Sequence, residues 1–226
     1  MMKKLQIIIL MIAIGFSMSA MAQLTYGPRL GLNLANLSGD DTDDSKMLIG
    51  FHIGGFGNYE INEMFSIQGE LLYDTKGAKY EFTDEDSNKK TAPVSLSYLN
   101  IPILAQATFG ESTKFFGELG PTFGFLMGAK FDGESEFTTY DYDPNDPFSP
   151  PVEKKVKYKE FYKGMDVGLA LGGGVYLPVG NMKASVGLRY AFSLGTIAEK
   201  SEFDDSTSSI KNSVISINLG LIFGGE

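Results

Sequence analysis

Cysteine and tryptophan are absent from the 226 residues, and histidine occurs once, as His52. Without thiols there is no disulfide framework, no zinc–thiolate centre and no cysteine nucleophile. With one imidazole, histidine-dependent chemistry is confined to a single position. Long apolar runs are scarce too. After the segment Leu5 to Phe16, nothing approaches the roughly 18 to 20 apolar residues that a helical membrane span requires. Basic residues are in deficit, with 19 Lys and Arg against 28 Asp and Glu and a net charge of −9. That balance argues against nucleic-acid binding.

What is present begins at the N-terminus. Met1-Met2-Lys3-Lys4 is followed by the apolar segment Leu5 to Phe16 and by the small residues Ser19-Ala20-Met21-Ala22. A basic start, a short apolar run and an Ala-x-Ala end predict a signal peptide over residues 1–22, cleaved after Ala22. The run is too short for a membrane anchor, and no cysteine stands at the cleavage point to carry a lipid. Losing Lys3 and Lys4 leaves 17 basic against 28 acidic residues, a charge near −11 with His52 neutral. Residues 23–226 suit one all-β domain in length. No Pro/Ser-rich linker divides them.

The remaining chain resolves into eight segments of alternating apolar character: Tyr26 to Leu37, Leu48 to Ile61, Phe65 to Phe82, Val94 to Phe109, Lys114 to Phe131, Phe161 to Val179, Met182 to Ile197 and Ser213 to Phe223. Each reaches the 9 to 11 residues that a transmembrane strand needs. Their connections alternate in length. Ser38 to Met47, Thr83 to Pro93, Asp132 to Glu160 and Ala198 to Asn212 are long and polar, whereas Asn62 to Met64, Gly110 to Thr113 and Gly180-Asn181 are tight. Outer-membrane barrels sort their loops this way, with short periplasmic turns and long extracellular loops. The reading is an all-β fold, an eight-stranded antiparallel up-and-down transmembrane barrel with both termini in the periplasm, expected in the outer membrane of a Gram-negative cell.

Period two assigns the faces. In Met182 to Leu194 the even positions Met182, Ala184, Val186, Leu188, Tyr190, Phe192 and Leu194 are apolar, against Lys183, Ser185, Gly187, Arg189, Ala191, Ser193 and Gly195. Alternation alone also fits a half-buried strand of a soluble barrel. The polar set, however, is rich in Gly, Ser and Ala with sparse charges of both signs, which suits a narrow interior. Across strands that face collects Arg29, Glu70, Asp74, Glu118, Lys130, Asp166, Lys183 and Arg189, four acidic against four basic. Buried charges are tolerated when paired and hydrogen-bonded, so a salt-bridged lumen is predicted. Eight strands enclose a space that side chains fill, so no open pore is expected. Tyr26, Tyr59, Phe65, Phe109, Phe115 and Phe223 are placed in a periplasmic aromatic girdle.

Other motifs have plainer readings. Gly172-Gly173-Gly174 lacks the following Lys-Ser/Thr of a phosphate loop and reads as a crowded or curved strand. The acidic runs Asp40 to Asp44 and Asp141 to Asp146 offer oxygen ligands. The second lacks the Gly and Glu of a calcium loop, so solvated loop charge is preferred and no metal or cofactor is assigned. His52 reads as a lumen-facing polar residue at the outer end of the second strand. A lipid-modifying enzyme using His52 is the alternative, without a Gly-x-Ser-x-Gly nucleophile motif to support it. A soluble periplasmic barrel binding an apolar ligand is the third reading.

Gly50-Phe51-His52-Ile53-Gly54-Gly55-Phe56, the strand Phe65 to Tyr73 with Lys76-Gly77, and Tyr98-Leu99-Asn100-Ile101-Pro102-Ile103-Leu104 together resemble the bacterial outer membrane protein β-barrel domain family, which includes PorT-like proteins. The resemblance covers essentially the whole mature chain. It implies an outer-membrane barrel, usually without an assigned activity; PorT-like members are associated with protein secretion. Pro102 removes a ladder donor and predicts a bulge or an edge. Barrels of this kind commonly end on an aromatic residue, whereas Gly224-Gly225-Glu226 follow Phe223 here. The expected role is non-enzymatic, in structure, adhesion or secretion support. Expected partners are outer-membrane lipid, the barrel-assembly machinery, and an extracellular or envelope protein held by the long loops.

Overall fold

The computed structural model describes residues 23–40, 42, 45–83, 89–141, 150–180, 182–199 and 209–225. The expected signal peptide, residues 1–22, lies outside them. The described chain forms β1 (Leu24–Gly39), β2 (Ser45–Glu60), β3 (Phe65–Thr83), β4 (Lys89–Phe109) and β5 (Lys114–Phe131), then a hairpin of β6 (Glu136–Asp141) and β7 (Val152–Lys157). A 3₁₀ turn at Tyr158–Phe161 leads to β8 (Met165–Val179), β9 (Met182–Ser193) and β10 (Ile210–Gly224). Eight strands close into a barrel, β1 pairing with both β2 and β10, and every neighbouring pair is antiparallel. Closure leaves no unpaired sheet edge facing lipid, which a bilayer requires.

The tight turns form where the sequence supplies turn chemistry. Asn62 Oδ1 accepts the amides of Met64 at 2.9 Å and Phe65 at 2.8 Å, reversing the chain between β2 and β3. Gly110, at φ 104°, provides the left-handed residue between β4 and β5.

Several boundaries differ from the sequence reading. Phe161 does not start the sixth barrel strand: it lies in the 3₁₀ turn and stacks on Phe137 of β6 at 6.1 Å. The connection after Phe131 is therefore built, with its own two-stranded sheet. β9 stops at Ser193, and beyond it Ile197 turns inward and is buried. Pro102 lies at neither a bulge nor an edge. It is fully buried within β4, and the β3–β4 ladder drops the pairs there, between Gly69↔Ile103 and Leu72↔Asn100, without changing register.

The two faces are sorted inside out relative to a water-soluble barrel. Outward positions carry Leu30, Leu32, Phe51, Ile53, Leu71, Leu119, Leu188 and Ile217, all exposed, with Ile49 at 67 %. Between residues 24–36, 47–59, 65–77, 93–109, 115–127, 165–179, 182–192 and 213–223 no outward position holds a charge. Aromatic pairs line this belt at two levels. Tyr26 meets Phe223 at 6.2 Å and Phe109 stacks on Phe115 at 6.0 Å near the tight turns, while Phe51 meets Tyr73 at 6.0 Å higher up. An exposed apolar ring around a polar interior removes the soluble apolar-ligand barrel.

Candidate functional site in the barrel lumen

The side chains inside the barrel fall in three levels, two of them polar and charged. The first, nearer the tight turns, centres on Glu70 of β3. Its Oε1 accepts from Arg189 Nη2 at 2.8 Å and Gln68 Nε2 at 2.6 Å, and pairs with Arg29 Nη1. Its Oε2 accepts from Arg189 Nη1 at 2.8 Å, so the Arg189–Glu70 pair is bidentate. Arg189 Nε donates to Glu118 Oε1 at 2.7 Å, and Glu118 Oε2 accepts from Gln106 at 3.0 Å. Gln106 Oε1 in turn accepts from Asn58 at 2.8 Å and from the Tyr176 hydroxyl at 3.2 Å. Two guanidiniums and two carboxylates thus meet on the axis, with the Arg29 guanidinium 4.8 Å from the Phe56 ring centroid.

Glycine makes the room. A Cβ at Gly172 would stand 3.0 Å from Glu118 Oε1 and 2.6 Å from the Leu188 carbonyl, so a larger residue on β8 would displace the carboxylate that Arg189 needs. The glycine triplet lies in a strand, where a Cβ at Gly174 would also stand 2.2 Å from the Val186 carbonyl and 2.7 Å from the Phe116 ring.

The second level holds Asp74, Lys76, Asp166 and His52. Asp74 accepts from Asn33 at 2.6 Å and Asn100 at 3.0 Å. Lys76 Nζ sits 3.8 Å from Asp74 and 3.6 Å from Asp166, and Asn212 donates to Asp166 at 2.9 Å. His52 is 3 % exposed, and its Nδ1 lies 2.9 Å from Asn33 Oδ1. Because Asn33 spends its amide nitrogen on Asp74 and on the Thr75 carbonyl, its oxygen is the acceptor and His52 Nδ1 the donor. His52 therefore stands midway along β2, opposite Gly31 and Asp74, and not at the strand's outer end.

The third level is apolar. Leu37, Ala78, Val94, Leu96, Tyr98, Leu126, Ala129 and Ile197 form one buried cluster, with Tyr80, Tyr158, Tyr162 and Ile210 packed on it. Loop backbone ties hold it shut: Lys163 N to Ile197 O at 2.8 Å, Ile197 N to Ile210 O at 2.7 Å and Glu199 N to Phe161 O at 2.9 Å. Burial in this cap pushes the Tyr162 phenol up to about 12. At the opposite end a cavity of about 440 Å³, lined by Arg29, Phe56, Asn58, Tyr176 and Lys183 among others, opens at the tight turns.

Of the eight lumen charges expected from sequence, Arg29, Glu70, Asp74, Glu118, Asp166 and Arg189 lie inside in the contacts above. Lys130 does not. A bulge between Ser97↔Gly128 and Tyr98↔Leu126 shifts the alternation of β5 by one residue, so Ala129 points in and Lys130 out. Lys183 is on the inner side but at the mouth, exposed and in no ion pair among the described residues. Lys76 takes their place as the third cation. Its parity, continuing Glu70, Leu72 and Asp74, would have found it. The amides Asn33, Asn58, Gln68, Asn100 and Gln106 were equally legible by parity. The acidic runs fall largely on residues 41, 43, 44 and 142–149, outside the described residues.

The fold is similar to Ail, the attachment invasion locus protein of Yersinia pestis, at 16 % identity over 89 % of this chain and 99 % of that one, with TM-score 0.39. It is likewise similar to OprG of Pseudomonas aeruginosa (8 % identity, 89 % and 96 % covered, TM-score 0.44) and to Neisserial surface protein A (13 %, 89 % and 97 %, 0.44). No curated protein matches the sequence. The model of the outer membrane protein beta-barrel domain matches residues 16–199. With that match spanning most of the chain, and with an apolar ring outside and paired charges inside, this outer-membrane protein belongs to the outer membrane protein β-barrel domain family.

Proposed function

We propose that the barrel is a non-enzymatic, non-conducting platform that presents its extracellular loops to an adhesion, envelope or secretion partner. The observation that carries this is the doubly closed lumen. The charge cluster around Glu70 fills the axis, and the apolar cap with Tyr98 and Ile197 seals the loop end, so neither ions nor a substrate have a through path. The loop side, in contrast, is organised. The β6–β7 hairpin is braced by Phe137, which lies 5.2 Å from the Tyr158 ring and stacks on Phe161. Long loops on a rigid scaffold are where recognition usually sits. In planar bilayers the purified protein should show no sustained ion conductance, and a stable open channel in the unaltered protein would overturn this reading. Assembly through the barrel-assembly machinery and a role supporting secretion belong to the same proposal.

The enzyme reading has less support. His52 is buried in the lumen, away from lipid, and its one side-chain hydrogen-bond partner among the described residues is an amide, that of Asn33. Substituting His52→Ala should leave the envelope lipid profile unchanged.

A further inference from the structure

The cavity of about 440 Å³ at the tight-turn end is a dead end, open to the periplasm and closed above by the Glu70 cluster. Its volume falls in the range of small-molecule pockets, roughly 300–1,000 Å³. At its inner end Arg29 is 3 % exposed. The Arg29 Nη1 group is committed to Glu70, but Nε has no hydrogen-bond partner among the described residues. A buried guanidinium N–H without an acceptor is costly.

The sheet register places an acceptor's position. Arg29, Gly220 and Ser185 stand in one row across β1, β10 and β9, with the glycine in the middle. A Cβ on Gly220 would meet Ser185 Oγ at 2.6 Å, Phe56 Cε1 at 3.3 Å and Arg29 Nε at 3.7 Å. The missing side chain leaves two donors, Nε and Oγ, around one gap. Lys183, the next inward position of β9 toward the mouth, adds an ammonium in no ion pair among the described residues. Three donors, two of them cationic, select an oxyanion. Phe56 and Ile222 line the same cavity and offer apolar wall to the rest of a ligand. Glu60 and Glu63 line it too, together with Lys114, so charge beyond one carboxylate would meet repulsion at the rim. We propose that the periplasmic mouth binds a small monocarboxylate with an apolar body, its oxygens held by Arg29 Nε, Ser185 Oγ and Lys183 Nζ.

Arg29 and Arg189 are the only arginines in the chain, so the nitrogen-labelled barrel, folded in detergent micelles, has two arginine Nε–H resonances to follow by NMR. Titration with benzoate should shift the Arg29 resonance and leave that of Arg189, whose Nε is held by Glu118, nearly in place. Benzamide, of the same shape without the charge, should shift neither. Lys183→Gln should weaken benzoate binding about tenfold and Ser185→Ala about fivefold. Gly220→Ala fills the gap and should abolish binding; if it fails to show heat-modifiable migration, the other two variants carry the test. Lys159→Gln, at the loop end, should bind as the unaltered protein does. An Arg29 resonance unmoved by benzoate would mean that the gap holds water alone, and would overturn the proposal. An equal shift with benzamide, or full affinity in both Lys183→Gln and Ser185→Ala, would overturn it as well.

Discussion

At the scale of single residues the Glu70–Arg189 pair dominates, because both side chains are withdrawn from water and satisfy each other's geometry. Breaking a buried pair strands a charge, which costs about 3–5 kcal/mol. Glu70→Ala should therefore lower stability by that amount in urea unfolding of the barrel in detergent. Lys130→Ala, on the outer surface, should change it by no more than about 0.5 kcal/mol. Equal losses would contradict the inward and outward assignments. Removing both partners together, as Glu70→Met with Arg189→Met, should cost less than the two single losses added, since neither charge is then left alone. Glu118 makes that cancellation incomplete, because Arg189 serves it as well.

At the scale of elements, the β6–β7 hairpin pairs only with itself, and its sheet is separate from the barrel's. Replacing residues 136–157 by a short Gly-Ser linker should leave heat-modifiable folding intact while abolishing whatever binding the loops mediate. Loss of the folded band would instead show that the hairpin supports the barrel. The cap beneath it has a pH signature. The Tyr162 phenol is held up to about 12, against about 10 in an unfolded chain, by burial. The folded cap resists ionisation, so its stability is complete below about pH 10 and declines as pH rises from 10 toward 12. Protease cleavage in 194–212 should accelerate over that window, and Tyr162→Phe should reduce the acceleration.

At the scale of the molecule, one wall separates two solvents, and the seals lie at different depths. The cavity near the tight turns admits water up to Arg29 and Tyr176, whereas the loop end is dry at Leu96, Tyr98 and Ile197. Emptying the cap with Leu96→Ala and Tyr98→Ala should leave the Glu70 cluster as the remaining barrier. Such a variant should show brief conductance openings in planar bilayers, and adding Arg189→Ala should lengthen them. A variant as silent as the unaltered protein would mean that the charge cluster seals the lumen by itself.

The alternation of apolar and polar residues was sufficient to establish the eight strands, the sorting of turns and loops, and the identity of most inward charges. Each of those depends on nearest neighbours and a period of two. Parity carried as far as Arg29, Glu70, Asp74, Glu118, Asp166 and Arg189, and one more step along β3 would have reached Lys76. It failed at Lys130, because a bulge changes the phase of β5 and is set by the register against β4, which no single strand encodes. It also failed at the apolar cap. Leu37, Tyr98 and Ile197 lie far apart in the chain, and each looks like an ordinary residue of its own segment until closure brings them over one opening. The pattern along the chain determined which side of the wall each residue faces. Only the closed barrel decided which of them meet, since contacts across a lumen join strands that are not neighbours in the sheet.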